Sequence, residues 1–292
     1  MHNILESIGM NYLVLALIVV GCSVQQIAKK SYNVRNVGGV YIFSAATTFM
    51  AMLFFAATSG VTFEFSAEAI WYSIAFASAY SVATVFSMLA IKTGPLALTS
   101  LIVSYSLIIP TVYGLVVLDE TMNIWLGVGM FLLLASLFLI NMENKSEEKQ
   151  ITLQWSVYVF LSFIGNGACS TIQKVQQISF DGRYKNEFMI IALLIAAIVL
   201  LTFAGVTEKK ETIKSLKKGF GFYTICGLSN GLVNYLVLVL SNKMPASVMF
   251  PVISAGGVVL AALVSVSIYK EKLSPQQWLG ATLGTLAIIA LS

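Results

Sequence analysis

The feature that most constrains this chain is a pattern of landmarks that occurs twice. Pro95 opens an apolar run that ends at Glu120, and Pro245 opens a second apolar run that ends at Glu271. After each run, a Trp-Leu-Gly triplet starts the next apolar segment, at 125–127 and 278–280. The same landmarks in the same order at nearly the same spacing indicate an internal duplication. The sequence therefore has to be interpreted as two related halves.

Composition identifies the solvent that surrounds these halves. Of the 292 residues, 58% are hydrophobic and 10% are charged, whereas a soluble domain has about 25% charged residues. A soluble fold of this length could not cover so much apolar surface, so most of it must face lipid. We count ten apolar segments, each near the roughly 20 residues that a bilayer requires. They run over 10–28, 37–58, 68–91, 96–118, 123–141, 153–173, 186–206, 219–241, 246–269 and 275–291.

The polar stretch 142–152 is the candidate linker, and it separates a first half, 1–141, from a second half, 153–292. Each half then holds five segments. Because five is odd, the second half enters the membrane from the side opposite to the first, so the halves are inverted relative to each other. The predicted fold class is an all-α integral membrane protein with ten transmembrane helices in two inverted five-helix repeats. This architecture is typical of secondary transporters.

The repeated Pro…Glu…Trp-Leu-Gly unit, at 95/120/125–127 and 245/271/278–280, resembles the drug/metabolite transporter superfamily in its EamA-like, ten-helix form. In that family each repeat carries a glutamate that closes its fourth helix and a glycine-rich fifth helix. The resemblance covers essentially the whole chain and implies a multi-pass carrier, often an exporter of amino acids or other small metabolites. The sequence departs from the smaller relatives in one respect. They carry an essential glutamate in the middle of the first helix, and residues 20–24 contain none.

Polar residues within the apolar segments mark the candidate path, because polar groups inside a bilayer are costly unless they are satisfied. Asn230 and Asn234 lie one helical turn apart in span eight, and their repeat counterparts 150 positions earlier are Tyr80 and Thr84. Spans six, one, four and nine add further polar positions. In span six, Gln173 and Gln177 continue a polar stripe along one face of the helix. We predict that the substrate is bound by Gln25, Gln26, Tyr80, Thr84, Ser104, Asn166, Ser170, Asn230, Asn234 and Ser254. The alternative is that these groups only join helices to one another.

Charged residues are informative through their positions. Deep inside the segments there is no Asp, Glu, Arg or His, which disfavours a purely cationic substrate and fits a neutral, zwitterionic or amphipathic one. Lys29 and Lys174 are repeat counterparts at the ends of spans one and six. We expect them at opposite mouths of the path, either extended to the headgroups or attracting a substrate carboxylate. Glu120 and Glu271 close spans four and nine, where they either cap a helix or act as gates.

Two features concern orientation and partners. Of the 17 Lys and Arg residues, 13 follow odd-numbered spans. Because cytoplasmic loops are enriched in Lys and Arg, this count puts both termini outside a cell membrane (plasma or inner), whereas the family resemblance implies that both lie inside. The small-residue face of Gly280 and Gly284 suits close helix packing, either within the chain or in a homodimer. No nucleic-acid partner is expected.

The leading functional hypothesis is a secondary transporter that exports a small organic metabolite or drug-like solute by alternating access. An enzyme is not expected, because His2 is the only histidine and the spans lack acids. No cofactor or metal is expected, since the three cysteines lack metal-type spacing and no Gly-x-x-x-x-Gly-Lys loop is present. The alternative is a non-transporting membrane sensor or partner protein built on a carrier fold. Matched polar faces in both halves argue against it.

Overall fold

Ten α-helices make up most of the part of the chain that the structure, a computed structural model, describes. The described residues are 2–35, 38–60, 64, 66–93, 99, 102–103, 105–141, 152–208, 212–267 and 274–291. The helices are α1 (His2–Val34), α2 (Val40–Thr58), α3 (Ala67–Thr93), α4 (Ile108–Val116), α5 (Ile124–Asn141), α6 (Leu153–Ser179), α7 (Lys185–Thr207), α8 (Thr212–Ser241), α9 (Ala246–Ser267) and α10 (Pro275–Leu291). No β-strand occurs among these residues. The prediction of an all-α fold with a helix in each of ten apolar segments is therefore confirmed.

Five stretches are long and apolar enough to cross a membrane by length and composition alone: Gly9–Lys29, Val40–Thr58, Ala67–Ala90, Lys185–Thr207 and Ser215–Ser241. Shorter apolar stretches lie in α4, α5 and α9. Large apolar side chains cover the outside of the bundle; Trp71 and Phe131, for example, are 72% and 71% exposed. Such a surface is unfavourable in water and favourable against lipid. These helices therefore form a multi-pass membrane protein.

Helix α6 extends beyond its predicted end at residue 173 and continues to Ser179. The additional turns are polar, yet Gln173, Lys174, Gln176 and Gln177 are at most 4% exposed. A hydropathy profile scores each residue by its own cost of leaving water. It therefore predicts that this polar stretch lies outside the membrane-spanning helix. The structure keeps it helical because neighbouring helices bury and bond these side chains. Two other helices also exceed their predicted spans, α1 at its end (Val34) and α8 at its start (Thr212).

The fourth span is bent by a proline. Pro110 has no N–H to donate to the carbonyl four residues earlier, that of Ser106, and its ring crowds that carbonyl. The chain there forms a short 3₁₀ turn, Tyr105–Leu107, before the regular α-helix of α4 begins. A second proline, Pro251, lies inside α9, and both prolines are buried. The fourth and ninth helices thus meet at segments where the regular backbone ladder is interrupted.

Helices from the two halves interleave. Helix α1 packs along α8, α3 packs along α6, and α2 packs against both α7 and α8. Hydrogen bonds show that α2 and α7 are antiparallel: the backbone N–H of Tyr41 donates to Glu208 Oε1 at 3.0 Å, and Asn186 Nδ2 donates to the carbonyl of Thr58 at 2.9 Å. We call the end of the bundle that holds Val34 and Glu208 the lysine-rich end, since most Lys and Arg residues lie in its connections. The opposite end is called the Glu120 end.

Helices α3 and α6 approach each other closely at Gly165. A Cβ atom at this position would lie 2.8 Å from the backbone N of Ala83 and 2.9 Å from the carbonyl O of Ala79. One turn earlier, Ser162 Oγ donates to the carbonyl of Ala83 at 3.2 Å. Because the opposing atoms belong to the backbone of another helix, they cannot move aside as a flexible side chain would. Only glycine permits this contact between the halves.

The small-residue face of α10 is used within the chain. Ser136 Oγ in α5 donates to the carbonyl of Gly280 at 2.6 Å, and a Cβ atom on Gly284 would lie 2.9 Å from the same Oγ. Both glycines are buried. A homodimer stays a prediction, and it would have to use another surface.

We predict that Gly165→Ala lowers the thermal unfolding midpoint of the detergent-purified protein by several degrees. Its methyl group would overlap the backbone of α3, and overpacking typically costs about 1–3 kcal/mol. The matched control is Gly221→Ala in α8, where a Cβ atom would meet no heavy atom within 4 Å. This control should leave the midpoint unchanged or raise it slightly, since alanine favours helix over glycine. Equal midpoints for the two variants would contradict the tight α3–α6 contact.

Candidate functional site

Four side-chain amides from three helices form one hydrogen-bonded chain in the interior, which we call the amide chain. Gln173 Nε2 in α6 donates to Asn234 Oδ1 in α8 at 2.7 Å. Asn234 Nδ2 then donates to the backbone carbonyl and to Oδ1 of Asn230, at 2.8 Å and 3.2 Å. Asn230 Nδ2 donates to Gln25 Oε1 in α1 at 3.0 Å. The amide chain therefore joins α1 of the first half to α6 and α8 of the second.

The sequence positions explain why these four side chains meet. Asn230 and Asn234 are one turn apart, so they point to the same side of α8 and can bond to each other. Helices α1 and α6 both contact α8, and they present Gln25 and Gln173 to its polar stripe. These two glutamines are 7% and 3% exposed, whereas the asparagines are half-buried. Buried amides at this density require mutual hydrogen bonds, because each unpaired group would cost free energy.

Gln173 was not among the predicted substrate-binding residues, although its stripe was recognised. Its spacing of seven residues from Asn166 already placed both on one face of α6. The structure joins Gln173 to the amide chain instead. Asn166 Nδ2 bonds within its own helix, to the carbonyl and Oγ of Ser162 at 3.0 Å and 3.3 Å. Ser170 is half-buried on the same helix.

Tyr80 brings the polar face of α3 next to the amide chain. Its hydroxyl lies near the side chains of Thr48 in α2 and Thr84 in α3, and near the thiols of Cys169 and Cys226. Cys226 is one turn before Asn230 on α8, so Tyr80 and the asparagines border the same interior region. The predicted residues Tyr80 and Thr84 are thus close to each other and near the amide chain.

Ser254 lies elsewhere. It is 7% exposed and lines a narrow cleft between α4, α5 and α9, together with Thr111 and Pro251. Three other predicted site positions lie outside the described residues: Ser104, Glu271 and the side chain of Gln26. The structure therefore brings Gln25, Asn230 and Asn234 into one network, places Tyr80 and Thr84 beside it, and separates Ser254 from it.

Lys174 is buried at the Glu120 end rather than extended to the headgroups. Its ammonium donates to the carbonyl of Ser241, where α8 ends, at 2.7 Å, and to the carbonyl of Met244 at 2.6 Å. The carboxylate of Glu120 lies 3.9 Å away, and the two side chains are 5% and 13% exposed. We call this arrangement the Lys174–Glu120 cluster. The two carbonyls engage two of the three ammonium donors, and the carboxylate of Glu120 compensates the charge.

Glu120 binds the first turn of α9. Its Oε1 accepts the backbone N–H of Ala246 at 2.7 Å, and its Oε2 accepts that of Ser247 at 2.8 Å. These N–H groups have no partner within the helix, and the helix dipole favours a negative charge at this position. The chain reaches this position through Asp119, whose φ of 50° is in the left-handed region. Glu120 thereby joins the last part of the fourth span to the ninth helix of the other half.

Lys29 has different surroundings from its repeat counterpart. Its side chain is half-buried, and its ammonium is close enough to Cys22 and Cys226 to act on them electrostatically. It forms no hydrogen bond or ion pair with any residue that the structure describes. The two lysines therefore differ in this structure: Lys174 is hydrogen-bonded and paired with a carboxylate, and Lys29 has no such partner among the described residues.

The chemistry available at this site is hydrogen bonding and charge attraction. The described side chains include no group of three His, Cys, Asp or Glu residues that could hold a metal ion, and Cys22, Cys169 and Cys226 are free thiols. Amides, hydroxyls, one phenol and one available ammonium can bind and orient a solute. This set of groups suits recognition better than bond breaking.

Comparisons with known proteins agree with this description. Residues 151–292 match the EamA-like transporter family. One solved crystal structure has the same fold, with a TM-score of 0.79 over 96% of this chain and 97% of the other, although only 12% of the residues are identical. No curated protein matches the sequence. The second half of this chain is thus similar in sequence to the EamA-like transporter family.

Proposed function

We propose that this protein is a secondary transporter that moves a small organic solute across a cell membrane by alternating access, in the direction of export. The observation that carries the proposal is the amide chain. It concentrates polar groups in the interior of a membrane bundle, where they are costly unless they serve a structural or binding role. It also lies between helices of both halves, which is where carriers built from repeats bind their substrates.

The packing supports an inverted-repeat arrangement of the two halves. With five helices in each half, α1 corresponds to α6, and α3 corresponds to α8. The contact between α1 and α8 then has its counterpart in the contact between α6 and α3. A pseudo-two-fold relation between inverted repeats requires such exchanged pairs. Alternating access follows when the two repeats exchange conformations around the site.

The unequal surroundings of the two lysines support a transport cycle in which the two ends of the bundle close in turn. At the Glu120 end, the Lys174–Glu120 cluster draws together α4, α6, α8 and α9. At the lysine-rich end, Lys29 has no such partner among the described residues. This asymmetry fits a state that is closed at the Glu120 end. In the proposed cycle, the cluster must break for that end to open.

The first prediction concerns transport and the amide chain. Purified protein in liposomes should transport one class of solute from a panel of neutral and acidic amino acids, nucleosides and amphipathic cations. The variant Asn230→Leu/Asn234→Leu should abolish that flux, because leucine removes the polar lining and the hydrogen bonds that Gln25 and Gln173 form with the asparagines. A parallel assay with a pH gradient would reveal proton coupling.

The matched control for this variant is Thr202→Leu/Thr282→Leu. Both threonines are exposed on the outside of the bundle and bond only to carbonyls of their own helices. This control should transport at the wild-type rate. Flux that survives in the asparagine variant would refute the site, and folded wild-type protein that transports no class of solute would refute the transporter proposal.

The second prediction concerns the Lys174–Glu120 cluster. Glu120→Gln should destabilise the protein by roughly 1–3 kcal/mol, since an amide nitrogen cannot accept the second N–H and the nearby ammonium loses its counter-charge. It should also speed alkylation of Cys22 by a membrane-impermeant maleimide added from the Glu120 end. Glu68→Gln, an exposed carboxylate in the first turn of α3, is the control and should change neither quantity.

Adding Lys174→Met to Glu120→Gln should recover part of the lost stability, because the double variant no longer buries an unpaired charge. Strictly additive effects in this double-mutant cycle would mean that the two charges are not coupled. Unchanged labelling of Cys22 in the Glu120→Gln variant would mean that the cluster does not close this end.

A further inference from the structure

Lys29 lies inside the last part of α1 rather than at the end of the helix. Helix α1 continues for five residues beyond it, to Val34, which corresponds to a depth of about 7.5 Å at 1.5 Å per residue. Side chains on a helix lean toward its N-terminus, and here that direction leads into the bundle. The residue one turn deeper on the same face is Gln25. The ammonium and the amide are therefore neighbours on α1.

Because of the orientation of Gln25, its side-chain nitrogen is a hydrogen-bond donor next along α1 to the ammonium of Lys29. Its Oε1 already accepts the hydrogen bond from Asn230, so its Nε2 points away from the amide chain. This Nε2 has no partner among the described residues. It is also not among the fully enclosed side-chain polar atoms that lack a partner. One turn apart on α1, Lys29 Nζ and Gln25 Nε2 thus each offer hydrogens that no described acceptor takes.

No described acid neutralises this position. The carboxylate that engages a lysine in the bundle, that of Glu120, belongs to the cluster at the other end. The electrostatic neighbours of Lys29 are the thiols of Cys22 and Cys226, which are neutral when protonated. One ammonium beside one amide balances a single negative charge spread over two oxygens. That description fits a carboxylate better than a doubly charged phosphate.

We propose that Lys29 and Gln25 bind the carboxylate of the transported solute, so that the substrate class is small organic carboxylates, zwitterions included. This inference rests on the proposed transport function and names its substrate class. A neutral solute leaves the ammonium unpaired in the path, and a cation is repelled by it. Lys174 does not share this role, because the carbonyls of Ser241 and Met244 accept its hydrogens and the carboxylate of Glu120 compensates its charge.

The test is ligand-dependent thermal stabilisation of the full-length protein in detergent, with probes that differ only in the carboxylate. The pairs are 4-phenylbutyrate with 4-phenylbutyramide and L-phenylalanine with L-phenylalaninamide, each titrated to millimolar concentration. The carboxylate member of at least one pair should stabilise the wild type, and its amide should not. Lys29→Gln should weaken that binding about 10- to 100-fold, since a hydrogen bond to a charged group is lost.

Two further variants keep the test decisive. Lys29→Arg retains the cation and should retain binding within about threefold. Lys218→Gln removes an exposed lysine near the start of α8 and should bind like the wild type. The inference is overturned if the amides stabilise as well as the carboxylates, if Lys29→Gln binds normally, or if no carboxylate stabilises the wild type.

Liposome flux separates this inference from the proposed function. Transport of an uncharged solute that Lys29→Gln leaves intact would reject the carboxylate site and keep the transporter. Carboxylate binding that depends on Lys29, without flux of any solute, would keep the site and reject the transporter.

Discussion

The structure depends on one constraint: polar groups inside a membrane bundle have to find partners within the protein. Most segments meet it by being apolar, so their helices need only internal backbone hydrogen bonds. The interior of this bundle meets it differently, by pairing amides from α1, α6 and α8 with one another. Each amide keeps its neighbour satisfied, so removing one affects several. This interdependence fixes the relative positions of three helices.

The two lysines illustrate how one sequence signal leads to two physical situations. Lys29 and Lys174 occupy equivalent positions in the two halves, and sequence alone assigns them the same alternatives. In the structure, two carbonyls and the carboxylate of Glu120 surround Lys174, so its positive charge is compensated within the protein. Lys29 has thiols and an amide beside it and no described counter-charge. The difference between the two lysines therefore lies in their surroundings and not in the residue type.

Sequence reasoning predicted the helical segments well, because hydropathy and length are properties of each segment by itself. It was wrong or incomplete where contacts with neighbouring helices determine the structure. The polar end of α6 was expected to leave the membrane, yet Gln176 and Gln177 are completely buried. Gln173 could be recognised on a polar stripe, but its bond to Asn234 depends on how α6 meets α8. The grouping of Gln25 with the asparagines, and the exclusion of Ser254 from that group, likewise depend on packing that no periodicity encodes.

Helix α8 connects the features on which the proposed cycle rests. Its middle carries Asn230 and Asn234, and its last carbonyl, that of Ser241, is held by Lys174. A carboxylate at Lys29 and Gln25 acts on α1, which is bonded to α8 through Asn230. Because a helix is stiff along its axis, tilting α8 at the amide chain also moves the Ser241 carbonyl relative to Lys174. In the proposed cycle, occupancy of the site and closure of the Glu120 end are therefore coupled through one rigid element, rather than through a series of small side-chain shifts.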